Sequence, residues 1–129
     1  MKTRYTIGLT LFAGIAVGAI AVQGLHAQVN KPPVYIVNEV EVTDQAGFQT
    51  YADAQSKLIL KHGGHYIIRG GKVVASLSGT PPTGRYTVYV FDNQEKMQAW
   101  HDDPGQREVL GVRDKVAKFR SFAVEGVAK

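Results

Sequence analysis

The stretch RYTVYVFD, from Arg85 to Asp92, is apolar on both faces of an extended chain. Alternation along a strand places Tyr86, Val88 and Val90 on one face and Thr87, Tyr89 and Phe91 on the other. A sheet with helices on one side and water on the other would alternate apolar with polar residues. This segment instead demands cover on both faces, and VYIVNEVEV, from Val34 to Val42, does the same near its start. Helices supply one cover. A second copy of the chain, sheet against sheet, is the economical source of the other, so a homodimer is expected.

The remaining segments supply the helices. Asp44 is a good N-cap, and Phe48, Tyr51, Ala52, Leu58 and Ile59 recur at helical spacing behind it. Gly63 offers the left-handed conformation favoured just past a helix end, which predicts a stop at His62. HYIIR then reads as a strand, with Gly70-Gly71 as a turn, KVVASLS as its returning arm and GTPPTG as a loop. Asn93 caps a short helix bearing Met97 and Trp100. DDPG interrupts at Pro104; Val109, Val112, Val116 and Phe119 form a further helical stripe, and SFAVEGV closes as a strand. The order is βαββαβ, an α+β, ferredoxin-like arrangement with helices on one face of an antiparallel sheet.

The N-terminus has a separate purpose. MKTR is basic, and the eighteen residues from Tyr5 to Val22 are largely apolar, with small residues following. This describes a signal peptide over residues 1–27, cut after Ala27 or after Gly24. An uncleaved anchor is the competing reading, since the stretch just reaches membrane-spanning length and Gly14 and Gly18 have helix-packing spacing. Residues 28–33 read as a linker and 34–129 as the domain. The expected location is periplasmic or secreted. Without Lys2 and Arg4, 13 basic residues face 11 acidic ones, a net charge of about +2 with no basic stripe for nucleic acid. The chain has no cysteine, so disulfides, thiolate zinc sites, iron–sulfur clusters and thiol nucleophiles are excluded.

KHGGHYIIRGG, from Lys61 to Gly71, concentrates two histidines and an arginine. His62 and His65 flank a glycine pair at a helix-to-strand joint, which fixes no chelating geometry, so no metal site is expected there. Strict alternation puts His65, Ile67 and Arg69 on one face, with Tyr66 and Ile68 on the other. Facing the space enclosed between two sheets, the imidazole and guanidinium would bind a carboxylate or enolate. The alternative is that Arg69 pairs with Glu39 or Glu41 on a neighbouring strand. Trp100 reads first as core, with its indole N–H needing a partner. Arg113 reads as a salt bridge to Asp53 or Asp114, and His101, beside Asp102 and Asp103, as a solvated helix end. No nucleophile elbow, phosphate loop or dinucleotide fingerprint is present.

HGGHYIIRGG, the strand from Arg85, and Trp100 followed thirteen residues later by Arg113 resemble the domain of unknown function 1330 family, part of the dimeric α/β-barrel superfamily. The resemblance spans most of Val34 to Gly126. It is carried by Tyr35, Phe48, Tyr51, Gly63, Gly64, Arg69, Gly70, Trp100, Pro104 and Arg113. It implies ferredoxin-like homodimers and brings no settled activity. The chain departs from the pattern at His101 to Gln106, where the family shows a tyrosine and then a serine–proline–glutamate–tyrosine run. It departs again at Ser78, where a glutamate is usual, and in its export segment.

Three functions follow as expectations. The first is a small-molecule-binding domain, with or without cofactor-free enzymatic activity, whose pocket candidates are Arg69, His65, Tyr51, Trp100 and Arg113. The second is a non-enzymatic envelope scaffold. The third, suggested by haem-holding barrels of the superfamily, is a haem or metal binder using His62, His65 or His101. No cofactor is assigned.

Overall fold

The computed structural model describes residues 31–129 apart from Pro82. The expected signal peptide and the first part of the linker lie outside the described residues. Among the described residues, no helix is long and apolar enough to cross a membrane. The unit Pro32–Val127 contains β1 (Val34–Val42), α1 (Gln45–Lys61), β2 (His65–Lys72), β3 (Arg85–Phe91), α2 (Gln94–His101), α3 (Gln106–Val116) and β4 (Ala117–Glu125). The four strands form one sheet in the order β2-β3-β1-β4, every neighbouring pair antiparallel. This is the ferredoxin-like α+β fold.

Local chemistry sets the helix ends as expected. The Asp44 carboxylate accepts from Gly47 N at 3.2 Å, and the Asn93 side chain accepts from Lys96 N at 2.9 Å. His62 caps the end of α1, and Gly63 follows at φ 78°. Gly64 answers a second need: a Cβ there would lie 2.7 Å from the Phe91 ring and 2.8 Å from Ile59. Ile59 and Phe91 are fully buried, so the glycine lets the backbone pass directly over the core.

One face of the sheet carries Val34, Ile36, Asn38 and Val40 from β1, opposite Phe91, Tyr89, Thr87 and Arg85 of β3. The helices pack here in two clusters, one around Ile59, Tyr89, Phe91 and Trp100, the other around Val40, Tyr51, Val109 and Val116. Trp100 meets Tyr89 edge-on at 5.4 Å and Phe91 at 5.2 Å. The other face bears Tyr35, Val37, Val88, Val90, Phe122 and Val124, and none of the helices α1, α2 and α3 packs on it. Ile68, Phe122 and Val124 there are 42–45% exposed.

Three expectations are corrected. Gly70-Gly71 is not a hairpin turn: both glycines lie within β2, whose last residue Lys72 pairs with Arg85. Gly70, at φ 63°, instead forms an irregularity, its N–H donating to Thr87 Oγ1 at 3.0 Å. Consequently KVVASLS beyond Lys72 forms no returning strand, and Val74 and Leu77 are 89% and 94% exposed. Phe119 is not on the last helix. The Val116 carbonyl accepts from Thr43 N and Asp44 N, Ala117 is extended, and Phe119 pairs with Val40 in β4, which therefore begins before SFAVEGV.

The third correction concerns β2. Tyr66 pairs with Tyr89 but Ile68 pairs with Val88, so two steps of β2 oppose one of β3. Ile67 is the extra residue, so Ile68 and Arg69 change face, and the second irregularity, between Ile68 and Gly71, restores the original alternation at Gly71 and Lys72. His65, opposite Val90, stays on the face away from the helices, whereas Arg69 joins Tyr66 on the helical side. The two candidates are separated by the sheet itself.

Candidate functional site

Between the helical face of the sheet and the three helices lies a cleft of about 570 Å³. Its walls are aromatic: Tyr51 of α1, Tyr89 of β3, Trp100 of α2 and Phe119 of β4. Tyr51, Trp100 and Arg113, three of the five expected pocket residues, line it together. His65 is exposed and lines none of the described clefts, and Arg69 borders a different groove on the far flank of α1. Sequence spacing along β2 had grouped residues that the bulge at Ile67 divides.

The cleft also holds polar groups that sequence reasoning missed. Gln55, Gln106 and Asn38 are buried to 4%, 5% and 3% relative exposure. The Trp100 indole N–H donates to Gln55 Oε1 at 3.1 Å. An indole can only donate, so this bond fixes the orientation of the Gln55 amide. Gln55 Nε2 then donates to Gln106 Oε1 at 3.1 Å, and Gln106 Nε2 returns to Gln55 Oε1 at 3.3 Å and to the Trp100 carbonyl at 3.2 Å. On the sheet, Asn38 Nδ2 donates to the Thr87 carbonyl at 3.0 Å, and Ser121 Oγ donates to Asn38 Oδ1 at 2.7 Å. No buried side-chain polar atom among the described residues lacks a partner. The available signal for Gln55 was its interruption of an apolar helical stripe, where a polar residue facing the core requires a partner.

Electrostatics make this cleft a donor-rich one. Burial raises the Tyr51 phenol above its ordinary range, against an opposing hydrogen bond from Gln55 and the nearby charge of Arg113. Burial raises Tyr89 further, with the neighbouring Tyr51 adding to it and Asn38 opposing. Both phenols are therefore protonated at neutral pH. Arg113 donates to Asp114 at 3.0 Å, as one expectation held, and stacks 5.1 Å from the Phe119 ring centre. No Asp or Glu is among the residues lining the cleft. The arrangement suits a ring-bearing molecule presenting oxygen acceptors.

His62 and His101 have separate carboxylate partners. His62 Nε2 and Lys61 Nζ both lie 2.8 Å from Asp103 Oδ2, and His101 Nδ1 lies 3.2 Å from Asp102. Arg120, not Arg69, holds Glu39, at 2.7 Å. Among the described residues no three imidazole or carboxylate groups converge as a metal site. His101 is the histidine on the cleft lining, and its side chain is 65% exposed; nothing in that donor set singles out haem.

No functionally curated protein matches the chain. Among solved structures, a protein of unknown function from Rhodopseudomonas palustris superposes with a TM-score of 0.63 at 12% identity, covering 83% of this chain and 92% of that one. SnoaB, a cofactor-independent oxygenase from Streptomyces nogalater, superposes with a TM-score of 0.51 at 10% identity, covering 72% of this chain and 91% of its own. At such identities the likeness is one of fold. The family model for the domain of unknown function 1330 matches residues 33–127, every element of the sandwich. The chain belongs to the domain of unknown function 1330 family.

Proposed function

We propose that this protein is an exported, homodimeric small-molecule-binding domain whose ligand is a ring-bearing compound with a carbonyl, phenolic or carboxylate oxygen. One observation carries the reading: a cleft of about 570 Å³ walled by aromatic rings holds two neutral phenols and Arg113 but no carboxylate on its lining. Its volume falls within the roughly 300–1,000 Å³ of small-molecule sites. Aromatic walls stack rings, and protonated phenols donate to oxygen acceptors. The same donors would favour negative charge developing on a bound oxygen, which is what the cleft would contribute to a reaction. SnoaB performs cofactor-independent oxygenation on this fold, but a fold hosts many functions, and the reading here rests on the cleft.

Export rests on the basic start and apolar stretch of residues 1–27, and dimerisation on the apolar outer sheet face. Trp100 is the sole tryptophan, so its emission reports on the cleft directly. Anilinonaphthalene sulfonate, an aromatic anion, should quench Trp100 saturably, and Arg113→Leu should weaken that binding about tenfold, the scale of one charge-assisted hydrogen bond. Unsaturable quenching, identical in the variant, would remove the ligand reading and leave an envelope scaffold. The intact mass of protein taken from its own cell envelope tests export: loss of the first 24 or 27 residues is expected, and a full-length chain means an anchor.

A further inference from the structure

Arg69 and Arg85 border a second groove, on the opposite flank of α1 from the Trp100 cleft. Phe48, Val40 and Val42 give it apolar lining. Other arginines of the structure neutralise carboxylates: Arg113 holds Asp114 and Arg120 holds Glu39. Arg69 and Arg85 are held by neutral groups instead. Arg69 donates to Ser56 Oγ at 3.3 Å and lies 4.7 Å above the Tyr66 ring. Arg85 donates to the Gly70 carbonyl at 3.0 Å, immediately beside Arg69 in sequence.

The Ser56 hydroxyl explains how Arg69 is set. Its single proton goes to the Ala52 carbonyl at 2.7 Å, so its oxygen accepts both from the Tyr66 hydroxyl at 2.9 Å and from Arg69. A guanidinium stacked on a ring and fastened at one nitrogen has lost much of its rotamer freedom while keeping its remaining donors. The bulge at Ile67 brings Arg69 to this side, and the Gly70 N–H bond to Thr87 locks the backbone between the two arginines. Glu41, the one carboxylate on the groove lining, sits opposite Lys118 in the β1–β4 register, on the outer face of the sheet.

The geometry points to a second binding site, in which Arg69 and Arg85 receive the carboxylate of an organic acid whose short apolar tail lies along Phe48, Val40 and Val42. Paired guanidiniums match an oxyanion, and the apolar lining selects an organic anion over an inorganic one. This site is separate from the Trp100 cleft and stands or falls independently of its ligand.

The test follows the arginine side-chain Nε–H resonances by NMR during titration with hexanoate, inorganic phosphate and hexylamine. Hexanoate should shift Arg69 and Arg85 saturably with one common affinity, phosphate should do so at least tenfold more weakly, and hexylamine should leave both unmoved. Arg69→Gln should weaken hexanoate binding about tenfold and Arg69→Lys, which keeps charge but not the fork, by an intermediate factor. Both positions are exposed, and unchanged Trp100 emission and anilinonaphthalene sulfonate binding would show an intact fold and an unaffected cleft. Phosphate binding as tightly as hexanoate would overturn the organic-acid assignment. Hexanoate shifts confined to Arg113, or affinity indifferent to Arg69→Gln, would overturn the site.

Discussion

The Trp100 indole N–H donates to Oε1 of Gln55 at 3.1 Å, joining α2 to α1 at the floor of the cleft. Gln106 shares that same oxygen, so one buried amide orients the wall residues of two other helices. A polar network of this kind specifies geometry because a partial loss leaves desolvated groups behind.

Gln55→Leu keeps the volume but strands the Trp100 N–H and the Gln106 Oε1, while Gln106 Nε2 keeps the Trp100 carbonyl. Each unsatisfied buried group costs about 1–3 kcal/mol, so the pair should lower stability by roughly 2–6 kcal/mol. Urea denaturation followed by circular dichroism reads this directly. A neutral result would mean that water replaces the amide.

Acid stability should depend on Asp103. The hydrogen bonds from Lys61 and His62, followed by the Gly105 N–H, hold its carboxyl far below its ordinary 3.8. A depressed folded value gives stability that is present above 3.8 and lost as pH falls beneath it. Asp103→Asn should therefore be less stable at neutral pH and show a shallower loss of stability below about pH 4. Melting temperatures across that range distinguish this from a uniform offset.

Alkaline behaviour tests the two phenols. Burial raises Tyr51 and Tyr89 in the folded state, so the stability they contribute is present below the ordinary value of 10.0 and is lost as pH rises above it. In a spectrophotometric titration, these two should ionise together with unfolding rather than in the native protein. Tyr51→Phe should flatten the alkaline slope. A native titration of all the tyrosines near their ordinary value would contradict the neutral-donor assignment.

The outer sheet face should be the dimer contact. Val124→Lys or Ile68→Lys places a charge at a position 43% or 42% exposed in the single chain, on the face opposite the helices. Burying that charge between two sheets is unfavourable, so each variant should run as a monomer in light scattering while the parent runs as a dimer. An unchanged mass would place the dimer contact elsewhere.

The glycine pair after α1 should divide into two kinds of sensitivity. Gly64→Ala drives a methyl against Phe91 and Ile59 at less than 3 Å and should cost about 1–3 kcal/mol by overpacking. Gly63→Ala meets only the distant Lys96 side chain, 3.7 Å away, and should cost about 1–2 kcal/mol through its positive φ alone. Gly64→Ala should cost less in an Ile59→Ala background, which removes the opposing Cγ2 methyl, whereas the cost of Gly63→Ala should be the same in both backgrounds, as read by urea denaturation.

Much of the fold was legible because its signals are local. Asp44 and Asn93 mark helix starts through their own side-chain bonds, and Gly63 marks a helix end through its own φ. The two-faced pattern of β3 follows from alternation alone. Where local signals conflict with pairing, the reading failed: Gly70-Gly71 looks like a turn until β3 holds Gly71 opposite Tyr86 with Gly70 as an irregularity, and Phe119 fits a helical stripe until it pairs with Val40.

The candidate site was legible in part for the same reason. Tyr51, Trp100 and Arg113 sit on regular helices, where spacing predicts which way a side chain faces, and they meet in one cleft. By itself, then, the sequence determined the element order, the Asp44 and Asn93 helix caps, the family and the Tyr51, Trp100 and Arg113 part of the cleft, because each depends on short-range sterics, on periodicity or on motif. The tertiary structure alone decided that Arg69 parts from His65, because one extra residue at Ile67 reverses the faces of Ile68 and Arg69. It alone decided that Gln55, Gln106 and Asn38 meet their distant partners beside the cleft, because the bonds of Gln55 to Trp100 and Gln106 and of Asn38 to Thr87 and Ser121 close over sequence separations of 45–83 residues and exist only once the sheet and helices have packed.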